Sequence, residues 1–160
     1  MKKYLLLLAL FWVGFVIAQP PACSFRGDTV FITKTNKTVE GEILETTLKN
    51  KSIIQLIRTE GDKFYLKMIV TENLYFDKVD QLEIISGSKS IFYKDTRHFQ
   101  YDKHRGYYMV EIFKNYALIL KDNGITSIVF GKVETDFTKS DCNQIRQIAA
   151  CFYDAITTKK

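Results

Sequence analysis

Apolar residues recur along this chain in two rhythms. From Thr29 to Phe113 they come in short bursts, often at every second position, separated by polar turns; from Cys142 to Ile156 they come at every third or fourth. The first rhythm belongs to strands with a buried face, the second to an amphipathic helix. The bursts predict strands at residues 29–34, 39–47, 52–59, 63–70, 79–85, 90–93, 98–102 and 107–113, then at 125–130 and 133–137. Turn residues separate them: Thr35-Asn36-Lys37-Thr38, Asn50-Lys51, Gly61-Asp62, Ser86-Gly87-Ser88, Arg105-Gly106 and Gly131. The order reads as a meander of hairpins.

The helix spans about 140–156. Cys142, Ile145, Ile148, Ala149, Phe152, Ala155 and Ile156 share one face of it. Residues 114–122 carry mixed signals. Their aliphatic run suits a strand, but Asn115 as a cap, Lys121 in a last turn and Gly124 as a stop favour a short helix. The expected fold is mainly β: antiparallel sheets, sandwich-like or strongly curved, closed by one C-terminal α-helix.

The first eighteen residues stand apart. Lys2 and Lys3 precede an apolar run from Tyr4 to Ile17, and Ala18 offers a small residue before a cut ahead of Gln19. That pattern is a secretory signal peptide, too short to span a membrane. Pro20-Pro21-Ala22 ahead of Cys23 is not a lipidation box. The reading is therefore a signal at 1–18 and a single β-rich domain at 19–160, periplasmic or secreted. Nothing else in the chain reaches membrane-spanning length. Losing Lys2 and Lys3 lowers Lys plus Arg from 23 to 21 against 18 acidic residues, so the net charge falls from +5 to +3. So mild an excess does not call for nucleic acid.

Export changes what the cysteines mean. Cys142 and Cys151 lie nine residues apart on the helix, which is about 13.5 Å of rise. A disulfide needs Cα atoms within about 7 Å. Those two cannot pair, and a bridge would join Cys23 to one of them.

Four features carry a resemblance: Ala18-Gln19 at the end of the signal, Cys23-Ser24-Phe25 opening the mature chain, Gly124-Ile125-Thr126-Ser127-Ile128 before a polar strand, and a helix ending in Ala150-Cys151-Phe152. In these the chain resembles a large group of uncharacterised small secreted proteins of the Bacteroidota. Val129-Phe130 stands where that group usually has an Arg. The resemblance implies an exported domain in which Cys23 and Cys151 are the matching cysteines and Cys142 is this chain's own addition. Cys151 also sits at the edge of the apolar face, open to a segment laid along the helix flank.

Candidate chemistry is sparse. The motifs of serine hydrolases, nucleotide-binding loops, zinc proteases and CxxC redox sites are all missing from the sequence. His98 and His104, with Gln100 and Asp102, would share a strand face. Positions six apart span about 20 Å, so no metal or other cofactor is expected. Arg97, His98, Tyr101, His104, Arg105 and Tyr107 mix basic and aromatic groups and form the candidate surface for a glycan or peptide. Asp77 with Asp80 and Glu134 with Asp136 are carboxylate pairs that read as surface charge. Cys142 is the candidate nucleophile, because a helix N-terminus lowers a thiol pKa. Asp28-Thr29-Val30 resembles a short O-glycan acceptor of this bacterial group.

The functional expectation is an exported, non-catalytic binding or scaffolding domain. Its partner would be a cell-envelope protein or glycan, and not nucleic acid. The alternatives are a carrier of a small apolar ligand between the sheets and a small enzyme using Cys142.

Overall fold

The computed structural model describes residues 23–32, 34–70, 81–94, 96, 98–100, 105–131 and 133–158, with only the backbone of His98, Gln100 and Val133. The expected signal and its cut lie outside these residues, as do Asp77, Asp80, Arg97, Tyr101, Asp102 and His104.

Two antiparallel sheets and two helices make up the described fold. The elements in order are β1 (Arg26–Ile32), β2 (Lys37–Thr47), β3 (Ile53–Thr59), β4 (Lys63–Val70), β5 (Gln81–Ser86), β6 (Lys89–Lys94), β7 (His98–Gln100), β8 (Gly106–Ile112), α1 (Lys114–Asn123), β9 (Ser127–Phe130), β10 (Val133–Asp136) and α2 (Lys139–Thr158). One sheet has six strands ordered β1-β2-β3-β4-β8-β7, and the other has four ordered β10-β9-β5-β6. The first four strands are the expected meander. Sequence-neighbouring strands then give way to long-range pairs: Leu66 faces Val110 where β4 meets β8, and Ile84 faces Ile128 where β5 meets β9.

Alternation in the six-stranded sheet sends side chains to two apolar faces. Leu44, Ile54, Leu56, Leu66, Met68 and Val110 turn toward the main core, joined there by Leu82, Ile84 and Ile91 of the smaller sheet. Tyr108 and Phe130 meet across the layers with ring centroids 4.2 Å apart. Val30, Ile43, Ile57, Tyr65, Tyr107 and Met109 form a second buried cluster on the opposite face. That explains the nearly continuous apolar run of β3, because a strand buried on both faces has no polar side to show. The sheet also curls. Phe31 of β1 and Phe99 of β7, at opposite ends of the strand order, touch edge-to-face at 6.2 Å. Gly41 sits where the strands crowd. A Cβ there would lie 3.1 Å from the Arg58 carbonyl oxygen and 3.2 Å from Ile57 Cγ2.

The segment with mixed signals is helix α1, so two helices close the core together. Gly124 ends α1 at φ 71°, its amide donating to the Leu120 carbonyl. A side chain there would lie 2.5 Å from the Cys142 carbonyl oxygen, so glycine lets the end of α1 meet the start of α2. Lys121 Nζ binds Asp154 Oδ1 at 2.9 Å and lies over the Tyr153 ring, which ties the two helices along their length.

The buried face of α2 is Asp141, Ile145, Ala149, Phe152 and Ile156. Cys142, Ile148 and Ala155, expected on this face, are half-buried at its flank. An acid takes the core-facing position in the first turn because it is fully bonded. The Asp141 amide donates to Thr138 Oγ1 at 3.2 Å, and the Thr138 amide donates back to Asp141 Oδ2 at 3.1 Å. This is a reciprocal capping box. Asp141 Oδ1 also accepts from the Lys49 amide at 3.0 Å, which fixes the helix start to the β2–β3 turn. Burial pushes the Asp141 carboxyl up, but these hydrogen bonds and the Lys49 charge outweigh it and hold the pKa below 3.8.

A depressed pKa stabilises the fold above the unfolded value and loses that contribution as pH falls through the folded one. Asp141→Ala is therefore expected to cost about 1–2 kcal/mol at pH 6. The gap from the parent should narrow below about pH 4. Urea melts at pH 6 and pH 3 check this, and an unchanging gap would contradict it.

Candidate functional site

Three places in the fold hold chemistry: helix α2 with its cysteines, a groove along one end of the six-stranded sheet, and a cavity where the edges of the two sheets meet.

Cys23 forms a disulfide with Cys151, in the second half of α2, with Cα atoms 5.5 Å apart, and Cys142 at the helix start is a free thiol. The bridge anchors the N-terminal segment to the flank of α2, and Arg58 completes the anchorage. Its guanidinium donates to Glu42 and to the Ala155 carbonyl, and lies 5.5 Å from the Phe25 ring centre. A cation at the last turn of a helix also meets the negative end of its dipole.

Cys142 lies in the first turn of α2 but lacks the lowered pKa that position suggests. Burial pushes the thiol up from 9.0, and the neighbouring Asp141 carboxylate pushes it further. Its Sγ donates to the Ile125 carbonyl at 3.0 Å, so it is held as a neutral donor. Iodoacetamide should alkylate Cys142 more slowly at pH 8 than an exposed peptide cysteine, with the rate still climbing above pH 9. Labelling as fast as the peptide's would revive the nucleophile.

The groove has a volume of about 680 Å³ and runs over Gly27, Gly41 and Gly61. Asp28, Glu40, Glu42, Glu60 and Asp62 line it against a single cation, Arg58, which Glu42 already binds. Among the described residues no three His, Cys, Asp or Glu side chains come close enough to hold a metal ion.

The cavity is smaller, about 240 Å³, and draws its walls from both sheets. Ile32 comes from β1, Tyr65 from β4 and Met109 and Val110 from β8; Tyr93 and Lys94 come from β6, with Thr96 beyond it. The cavity exists because β7 is short. It covers only Gly106–Tyr108, so among the described residues the rest of β8 forms a sheet edge that the curled end of β1 approaches without pairing. Thr96 is 5% exposed, and its hydroxyl is sealed from water with no hydrogen-bond partner among the described residues. The Tyr93 hydroxyl is in the same state. Such a group costs roughly 1–3 kcal/mol. Burial, and next the Tyr116 hydroxyl, push the Tyr93 pKa well above 10, so it stays a donor. Phe113, 62% exposed, stands at the same site.

No protein-family model, curated protein or solved structure matches the chain. The site therefore rests on its own residues.

Most of the expected surface patch lies outside the described residues. Of its members with described side chains, Arg105 is exposed, while Tyr107 is 3% exposed and belongs to the second core cluster. Tyr107 stacks on Phe99 at 5.5 Å, and Lys67 Nζ sits 4.1 Å from its ring centre. Period-two alternation turns it to the inside of the curl, which removes it from any surface platform. Glu134 and Asp136 are exposed on β10. Sequence pattern does not reveal the cavity because its walls come from four separate stretches of the chain, each with an ordinary strand or turn pattern.

Proposed function

We propose that this protein is an exported, non-catalytic binding domain that takes a small ligand into the cavity between β1, β6 and β8. The observation that carries the reading is the cavity of about 240 Å³ walled by both sheets, with Ile32, Met109 and Val110 as its apolar lining. Thr96 and Tyr93, whose hydroxyls are buried without a partner among the described residues, border the same cavity. Export is supported by the signal-like first eighteen residues and by the resemblance to secreted proteins of the Bacteroidota. The Cys23–Cys151 disulfide is compatible with an oxidising compartment outside the cytoplasm. Among the described residues no helix is long and apolar enough to cross a membrane. The raised pKa of Cys142 weighs against the cysteine-dependent enzyme. The carrier reading is favoured over a bare scaffold for a cell-envelope protein or glycan because the cavity is walled by both sheets.

The experiment is a fragment titration of isotope-labelled protein followed by amide chemical shifts. Fragment binding should move Lys94, Thr96, Met109, Val110 and Glu111 together. Hits confined to the acidic groove, or none at all, would overturn the reading.

A further inference from the structure

We infer that copies of this chain associate edge to edge through the four-stranded sheet, β6 of one copy pairing antiparallel with β10 of the next. The inference goes beyond the cavity and does not depend on it.

Open strand edges carry it. β1 and β7 end the six-stranded sheet, but they curl toward each other until Phe31 and Phe99 touch at 6.2 Å. β6 and β10 end the four-stranded sheet, and among the described residues no strand pairs with their outer sides. The pairs beside the two hairpin turns, Ser86 with Lys89 and Phe130 with Val133, take the hydrogen-bonded form. Alternation from there points the backbone groups of Ser90, Phe92 and Lys94 outward from β6, and those of Glu134 and Asp136 outward from β10. Such a row of unpaired donors and acceptors is a template for a further strand.

Charge decides which strand. Lys89 and Lys94 stand exposed at the two ends of β6, and Glu134 and Asp136 are exposed on β10. None of them has an ion-pair partner among the described residues. Two β6 edges laid together would gather four lysines along one seam, and two β10 edges would gather four carboxylates. Like charges across a strand pair are destabilising. β6 against β10 sets lysine against carboxylate instead.

Direction and faces agree with that choice. β10 with β9, β9 with β5 and β5 with β6 are each antiparallel, so β10 runs opposite to β6. A copy displaced along the sheet therefore presents its β10 antiparallel to the first copy's β6. Glu134 pairs with Val129, Val129 with Glu83 and Glu83 with Phe92, so Glu134, Phe92 and Lys94 share the face turned away from the core. Keeping the faces matched sets Glu134 opposite Lys94, or opposite Phe92 and diagonal to Lys94. In either register the Phe92 ring, 69% exposed in the single molecule, gains a neighbour. The contact joins two different edges, so it leaves one β6 and one β10 open and growth has no built-in stop. β10 has only 4 residues, and so short a seam falls below the standard interface of about 1,600 Å², which makes the association weak.

Sedimentation velocity of the full chain, its disulfide intact, reads the association. The weight-average mass should climb with concentration from the micromolar to the millimolar range and pass beyond two copies. Raising sodium chloride from about 0.1 M to about 1 M shortens the screening length from about 10 Å to about 3 Å and should return the mass to that of a single copy. Lys89→Glu with Lys94→Glu, and separately Glu134→Lys with Asp136→Lys, should each weaken association at least about ten-fold. Their melting temperatures at low concentration should match the parent's, since the substituted side chains are exposed. Mixing the two variants sets opposite charges together again and should restore the climb. A parent that stays a single copy throughout overturns the inference. A mass that levels off at two copies means a closed interface and overturns it too. Variants that associate like the parent, or a mixture of the folded variants that stays single, would show that the seam is not β6 against β10.

Discussion

Replacing Cys23 and Cys151 together with serine is expected to remove about 5 kcal/mol of stability. The bridge joins positions 128 residues apart, and closing so long a loop in the unfolded chain removes that much conformational freedom in the chain-entropy model. For a domain of this size that is a fall in melting temperature of roughly 15–20 °C. The cost is global because the bridge acts on the unfolded ensemble, but the native state also loosens in one place. Phe25 packs beside Arg58, and Arg58 in turn holds Glu42 and the last turn of α2. Without the bridge that group keeps its contacts but not its permanence. Thermal melts of the oxidised chain and the double-serine variant check the figure. A difference under about 5 °C would mean that the N-terminal segment is not fixed where Arg58 and Phe25 meet.

Phe152→Ala should cost about 3–5 kcal/mol, the range for truncating a fully buried aromatic. Phe152 is 0% exposed, stands between Ala149 and Ile156 on the buried face of α2, and meets Phe64 of β4 edge-to-face at 5.8 Å. The structure offers its own control. Phe92 on the edge strand β6 is 69% exposed, and its replacement by alanine should stay within about 0.5 kcal/mol. Urea melts of both variants separate the cases. Equal costs would show that α2 presents a different face to the sheet.

Local pattern carried the elements well. Lys63–Val70 is read identically from the sequence and from the backbone because alternation is strong and Gly61-Asp62 marks its start. The face of α2 came out rotated because hydropathy counts Asp141 as polar, whereas a capping box and the Lys49 amide make its burial affordable. The Thr138–Asp141 spacing was the signal that could have revealed this. Sheet order was not legible at all. Nothing in the periodicity of β4 says that its partner is β8 rather than β5, since pairing across a long excursion is decided by which faces the whole chain must bury. The cavity follows from that order and from the shortness of β7, so it too lay beyond local pattern.

The cavity between β1, β6 and β8 is the centre of the functional reading, and xenon probes it most directly, since the gas settles in apolar cavities that admit a guest. A crystal of the full chain under xenon pressure should show the atom against Val110 and Met109, with the Tyr93 and Thr96 hydroxyls still lacking protein partners. A site filled by the side chain of Phe113 or Lys34, with no xenon and with both hydroxyls bonded inside the protein, would contradict it.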